Sequence, residues 1–266
     1  MAHDFDRRSF LKAGGLLGVG AVLAACSGTD SAAPTASSSA PAAPSGTPAP
    51  TTAAPAPSAV DLLAGAGTCT LTPETIAGPT WFDAHAVRSD IRDGRPGTPL
   101  ELAFRVVQVG PCTPLANAVV DLWQCDALGF YSGFAGASPG QGGNPDGRDE
   151  YGDKQAAATG PERFLRGTQA TGADGVVRFD TVYPGWYPTR SAHLHIKVHL
   201  DSATVLTGQL FFDDAVSDAV YAGDPYRQHP GRDTTNDTDA FYSPAAQLVL
   251  AQDGARRLGA QVLGVP

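Results

Sequence analysis

From His193 to Leu200 the chain reads His-Leu-His-Ile-Lys-Val-His-Leu, so an extended strand there carries Leu194, Ile196, Val198 and Leu200 on one face. His193, His195, Lys197 and His199 fall on the other. Short apolar or alternating runs of the same kind cover 100–109, 118–125, 168–171, 176–182, 192–200 and 205–212. Ala173-Asp174-Gly175 is a hairpin turn signal between two of them. A 3.6-residue period shows only at 245–250. The pattern predicts an all-β domain, a β-sandwich, joined by long loops such as the Gly-rich segment 138–160 that can carry a site.

The N-terminal part is built differently. Asp6-Arg7-Arg8-Ser9-Phe10-Leu11-Lys12 precedes a Gly/Ala/Leu/Val run over 13–25 that is too short for a permanent membrane span. Residues 1–25 therefore read as a signal peptide. The arginine pair resembles a twin-arginine export signal, with Asp6 where that pattern usually has Ser or Thr. Leu23-Ala24-Ala25-Cys26 resembles a lipobox, which makes Cys26 the expected site of lipidation and the membrane anchor. The competing reading is a cleaved signal with Cys26 incidental and the product secreted. Residues 26–60 are almost wholly Ala, Pro, Ser and Thr, with Asp30 the only charge and no hydrophobic period, so a disordered spacer is expected. The folded domain is placed at 61–266, where 42% hydrophobic content over the 266-residue chain suffices for one core.

The formal charge is −9, and removing the leader's three basic and two acidic residues leaves about −10. An acidic exported domain without a basic cluster argues against nucleic-acid partners and anionic polymers. With Cys26 assigned to lipid, Cys69, Cys112 and Cys125 give one disulfide and one free thiol in an oxidising compartment. A Cys112–Cys125 pair is disfavoured because one precedes the strand that the other ends. The pairing is otherwise open.

Two histidines at i and i+2 present two imidazoles to the same side of a strand, a geometry that suits one metal ion. A half-exposed strand with its polar face in water has the same spacing. The neighbourhood adds two tyrosines on turns: Tyr187 follows Pro184-Gly185 and precedes Pro188, and Tyr131 follows Gly129-Phe130 just after the strand ending in Asp121-Leu122-Trp123. Each tyrosine alone would pass for a core or rim residue.

Taken together, "DLWQCDALGFYS" and "YPGWYPTRSAHLH" resemble the intradiol ring-cleavage dioxygenases, with further echoes in "LTPETIAGPTW" (71–81) and "SDIRDGRPG" (89–97). The resemblance spans about 69–242 and is closest to exported bacterial members. It implies one non-haem Fe(III) per chain held by Tyr131, Tyr187, His193 and His195, with O2 and a catechol as substrates and a muconate-type diacid as product. Phenolate oxygens suit the ferric state, whereas a histidine–carboxylate triad suits Fe(II). By the same resemblance Arg190, Gln209 and a departing Tyr187 are catalytic, and Pro79 and Thr80 shape the substrate pocket. Trp186, beside Tyr187, is the expected contact for an aromatic ligand.

Two departures mark this chain. Thr80-Trp81 stands where relatives often have an aromatic pair, and the spacer occupies the place of the catechol-cleaving branch's helical dimerisation segment, so no oligomeric state is implied. Lys197 and His199 are expected to run out to the rim or solvent, His85 and His229 to lie in loops, and Trp123 to be core. Asp213-Asp214 and the segment 224–239 are expected to cover a sandwich edge. The rival readings are a non-catalytic cell-surface β-sandwich that binds aromatic or carbohydrate ligands, and a copper or zinc protein built on the two histidines.

Overall fold

The computed structural model describes residues 56–67, 69–134, 136–201 and 203–266. The signal peptide 1–25, Cys26 and the spacer as far as 55 lie outside the described residues. The spacer's last residues belong to the domain. Ser58 begins a 3-10 turn, Ala59–Ala64, whose Ala59 N–H donates to Glu101 Oε1 at 2.8 Å, and Leu63 packs on Ala103, Leu258 and Ala260.

The strands are β1 (Pro99–Gln108), β2 (Thr113–Pro114), β3 (Val119–Trp123), β4 (Gly147–Arg148), β5 (Lys154–Gln155), β6 (Arg166–Ala170), β7 (Val176–Val182), β8 (His193–Leu200), β9 (Ala203–Phe211), β10 (Val249–Asp253) and β11 (Arg256–Val265). In one sheet β11 runs parallel to β1, β10 flanks β11, and β7 and the short β2 share the other edge of β1. The second sheet is antiparallel in the order β6-β3-β8-β9, and β4 and β5 form a small separate ribbon. The six strands expected from alternation are present within two residues. At 245–250 the helical expectation fails: a 3-10 turn, Pro244–Ala246, leads into β10. The last strand, β11, escapes the alternation rule because its sequence, "RRLGAQVLGV", interrupts the apolar run with Arg, Gly and Gln.

The core lies between the sheets. Leu100, Leu102, Phe104, Val177 and Phe179 of one meet Val120, Leu122, Leu194, Ile196 and Val198 of the other, all buried. Burying such side chains stabilises by about 1.5–3 kcal/mol each. Asp213 caps the helix α1 (Asp214–Tyr221) by accepting from the N–H groups of Ala215 and Val216, and Val220 of this helix joins the core. Sequence reading offered this segment only as an edge cover.

The outer face of the second sheet is also buried, which alternation could not show. Loops before β1 and between β3 and β6 fold over it, and Trp81, Phe82, Phe134 and Ala156 form a second apolar cluster against Trp123. Lys197 and His199 are therefore not at the rim: they are 1% and 4% exposed. The Lys197 ammonium lies 3.6 Å from the centre of the Trp81 ring and pairs with Asp153, and His199 stacks on Tyr151 at 4.0 Å and bonds to Thr204 at 2.9 Å.

Cys69 and Cys112 form the disulfide, and Cys125 is free and buried. The bridge ties the segment before β1 to the turn after it, closing a sequence separation of 43 residues. Replacing both cysteines by serine is expected to lower unfolding free energy by about 2–4 kcal/mol in urea titration. An unchanged urea midpoint would contradict this.

Candidate functional site

β8 sends His193 and His195 to the outer face, where register places His195 beside Trp123 of β3 and Gln209 of β9. The Trp123 indole stacks on the His195 ring at 4.8 Å with 14° between planes, and its Nε1 donates to Thr80 Oγ1 at 3.2 Å. Trp123 is thus core, and it also fixes an imidazole. His193 Nδ1 lies 2.7 Å from the Ser191 carbonyl. A carbonyl only accepts, so Nδ1 carries the proton and Nε2 offers a lone pair.

The two tyrosines arrive on turns that share one anchor. The buried Asp126 carboxylate accepts from the N–H groups of Leu128 (2.9 Å) and Phe130 (3.0 Å) and pairs with Arg95, which shapes the turn into Tyr131. Its backbone carbonyl accepts from Gly185 N–H at 3.0 Å, which holds the turn into Tyr187 against the first. The two turns touch so closely that a Cβ on Gly129, at φ +88°, would stand 2.6 Å from the Trp186 carbonyl oxygen. Only glycine fits there.

These turns complete a closed ring of donor atoms. Tyr131 Oη lies 3.2 Å from Tyr187 Oη, which is 2.9 Å from His193 Nε2. His193 Nε2 is 3.2 Å from His195 Nε2, which is 3.0 Å from Tyr131 Oη. With the His193 proton on Nδ1, at most three protons serve four contacts. Donors of one ion with bonds of about 2.0–2.1 Å stand about 2.8–3.4 Å from one another, so the set fits a metal ion. Burial raises both phenols above their usual range, and the neighbouring Tyr187 adds to this at Tyr131. Burial lowers both imidazoles, the Arg190 charge adding to this at His193 and the His193 charge at His195. All four are neutral at pH 7 in the protein's own field, and neutral imidazoles are ready to ligate.

Arg190 stands beside this ring. Its Nε donates to Asp239 Oδ2 at 2.9 Å, Nη2 donates to Gln209 Oε1, and its guanidinium lies 4.7 Å from the Phe241 ring centre. Gln209 Nε2 donates to the Ile76 carbonyl at 3.1 Å. Despite burial, which raises it, the Asp239 carboxyl is held below the usual range by hydrogen bonding from Phe241 N–H and by the Arg190 charge. A cavity of ≈ 550 Å³ opens over the site, lined by Pro79, Thr80, Tyr187, Arg190, His195 and Gln209, and also by Ile76, His229, Phe241 and the loop 138–141.

Of the residues expected to meet substrate, Pro79 and Thr80 line this cavity and Trp186 does not. The Trp186 ring stacks on His229 at 4.2 Å, and its Nε1 donates to the His229 carbonyl at 2.9 Å. His229, expected only as a loop residue, takes the place in the cavity wall. His85 is an exposed loop residue paired with Asp83. Asp239, in a segment expected to cover a sandwich edge, orients Arg190 and accepts from Ser191 N–H at 2.8 Å. No local signal links residues 49 apart. Arg166 is a further unforeseen member, buried, donating to the Thr80 and Ser132 carbonyls at 2.7 and 3.0 Å and lowered to about 9 by burial.

The chain is similar to known dioxygenases. A family described as Dioxygenase matches residues 72–233. Catechol 1,2-dioxygenase 1 of Acinetobacter lwoffii is 31% identical over 162 residues, 52% of this chain and 45% of that protein. Chlorocatechol 1,2-dioxygenase of Rhodococcus opacus is 26% identical over 52% of this chain and 46% of its own. The chain spans about half the length of these curated relatives. An intradiol ring-cleavage dioxygenase from Tetranychus urticae superposes with a TM-score of 0.66 at 30% identity, over 74% of this chain and 94% of that one. The dioxygenase domain of a dioxygenase carbohydrate-binding protein fusion from Streptomyces sp. SirexAA-E gives 0.52 at 28% identity, over 73% and 97%.

Burial, followed by the Lys197 charge, pulls His199 from 6.5 down to about 4. Between those values the unfolded chain binds more protons than the folded one, so stability falls as pH drops through the window. His193 and His195 act in the same direction in the metal-free chain. The urea midpoint of that chain is expected to fall from pH 7 to pH 5, and His199→Gln to flatten the slope by up to about 1.4 kcal/mol per pH unit. A midpoint that rises on acidification, or equal slopes in both proteins, would contradict this.

Proposed function

The chain belongs to the intradiol ring-cleavage dioxygenase family, and from that premise we propose that it opens catechol-type rings between the two hydroxyl-bearing carbons. O2 is the co-substrate and a muconate-type diacid the product. The observation that carries this reading is the closed ring of two phenol oxygens and two imidazole nitrogens, 2.9–3.2 Å apart, two of whose members line the cavity. Tyr131, Tyr187, His193 and His195 would hold one non-haem ferric ion. Bound there, the ion supplies the positive charge that turns buried phenols into phenolates and lets a catechol give up both hydroxyl protons.

The protein's own groups divide the remaining work. Of the four, Tyr187 and His195 line the cavity; Tyr187, carried on a turn and not on a strand, would be the one that gives way to a catechol, its oxygen accepting one of the two catechol protons while the other leaves to solvent through the cavity. His193, held by the Ser191 carbonyl, and His195, held by Trp123, stay in place with Tyr131. Arg190 keeps a fixed positive charge at the cavity wall, oriented by Asp239 and Gln209 before negative charge builds on the aromatic ring. Pro79 and Thr80 form part of the wall against which the ring lies.

The same reading takes the enzyme to act outside the cytoplasm, anchored at Cys26 or released, on aromatic compounds met there. Cell fractionation that found the chain wholly in the cytoplasm would overturn this location.

Iron-loaded protein is expected to consume one O2 per catechol and to release a diacid containing both oxygen atoms, read by oxygen electrode and mass spectrometry with labelled O2. Arg190→Met should lower kcat/KM by about 10²–10³, and Asp239→Asn, which leaves the guanidinium present but less firmly oriented, by a smaller factor. Ring opening beside, and not between, the hydroxyl-bearing carbons would contradict the proposal. So would full activity in Arg190→Met.

A further inference from the structure

His229 lines the cavity, but nothing in the chemistry assigned above uses it. It is held firmly. One face of its ring lies on the Trp186 indole, 4.2 Å away and 20° from parallel, and its carbonyl accepts from that indole's Nε1. Its N–H donates to the carbonyl of Tyr226, a buried residue whose hydroxyl donates in turn to the Tyr183 carbonyl at 2.7 Å. Trp186 precedes Tyr187 in the chain, so the imidazole is fixed relative to the donor ring itself.

Its two nitrogens differ. Nδ1 is shut off from solvent and has no hydrogen-bond partner among the described residues. The tautomer with its proton on Nε2 keeps the ring's one donor at the nitrogen that is not walled off, where an acceptor can meet it. With Nδ1 closed off, Nε2 is the ring nitrogen left to serve a molecule in the cavity that His229 lines. The Arg190 guanidinium in the same wall is already engaged by Asp239 and Gln209.

The cavity, at ≈ 550 Å³, exceeds the roughly 150 Å³ that encloses a benzene molecule in an engineered protein core. A catechol leaves room for a ring substituent. We propose that His229 is a specificity-determining residue: its Nε2–H donates to an oxygen acceptor on the substituent of a ring-substituted catechol, away from the two reacting hydroxyls. This rests on the dioxygenase reading and deepens it by naming the kind of catechol the pocket favours.

The test uses the iron-loaded full chain and three probes: 4-methylcatechol, 3,4-dihydroxyacetophenone and 3,4-dihydroxybenzoate. For each protein the kcat/KM of each oxygen-bearing probe is divided by that of 4-methylcatechol, which cancels the intrinsic reactivity of each probe across variants. His229→Phe keeps the stacking and removes the donor, and should lower this ratio about tenfold, the worth of one hydrogen bond. His229→Gln restores a donor and should return the ratio to within about threefold. His229→Met, a second donor-free change, covers the case in which the larger ring does not fit. Dissociation constants from anaerobic titration should move in the same sense as the ratios. A fall with the ketone alone or the carboxylate alone would support the proposal and identify which oxygen is read. Ratios that stay fixed in both donor-free variants, or equal losses on all three probes, would overturn it. If the wild-type protein turns over no catechol, the dioxygenase reading falls and takes this inference with it.

Discussion

The site depends on a strand face that is polar and yet sealed from water. β8 carries His193, His195, Lys197 and His199 on one side, and the loops that cover this side leave all four nearly unexposed. Burial without partners would cost about 1–3 kcal/mol for each group, and more for the charged one. The structure meets that demand locally: the Ser191 carbonyl for His193, Asp153 and the Trp81 ring for Lys197, Thr204 for His199. His195 is the exception. Its Nδ1 has no partner among the described residues, and its Nε2 has only the donor ring. A face built this way holds its imidazoles neutral and immobile, which is the state a metal ion requires.

The same economy joins the loops. Asp126 folds one tyrosine turn with its carboxylate and binds the other with its carbonyl, so Tyr131 and Tyr187, 56 residues apart, are placed by one residue. Asp239 does the corresponding work for Arg190 and Ser191, linking the segment after α1 to the start of β8. Arg166 ties Thr80 of the cavity wall to Ser132, the residue after Tyr131. The geometry of the candidate site therefore comes from strands braced by buried polar contacts, although the tyrosines and Arg190 sit on turns.

Much of this was legible in the sequence, and the boundary has a physical reason. Period-two alternation marks a strand whenever one face is apolar, so β8 and its neighbours could be read directly, whereas the histidine pair and the two turn tyrosines stood out as a set only through the family resemblance their motifs carry. Alternation says nothing about whether the polar face meets water or a loop. That is why Lys197 and His199 were expected at the rim and found buried. Partners distant in sequence, such as Asp239 and Arg190, leave no local trace. Trp186 is expected from the sequence to contact an aromatic ligand, but an indole can serve a ligand or a neighbouring ring, and here it stacks on His229 outside the cavity lining.

The central claim is that the two phenols and two imidazoles act as the ligands of one ferric ion that substrate reaches through the cavity. The visible spectrum of the iron-loaded chain, before and after anaerobic addition of catechol, tests it most directly. The account predicts a broad tyrosinate-to-iron band that shifts when catechol binds, is lost or displaced in Tyr131→Phe, and responds differently to catechol in Tyr187→Phe. A protein that takes up no iron, or one whose colour is indifferent to both tyrosines and to catechol, would contradict it.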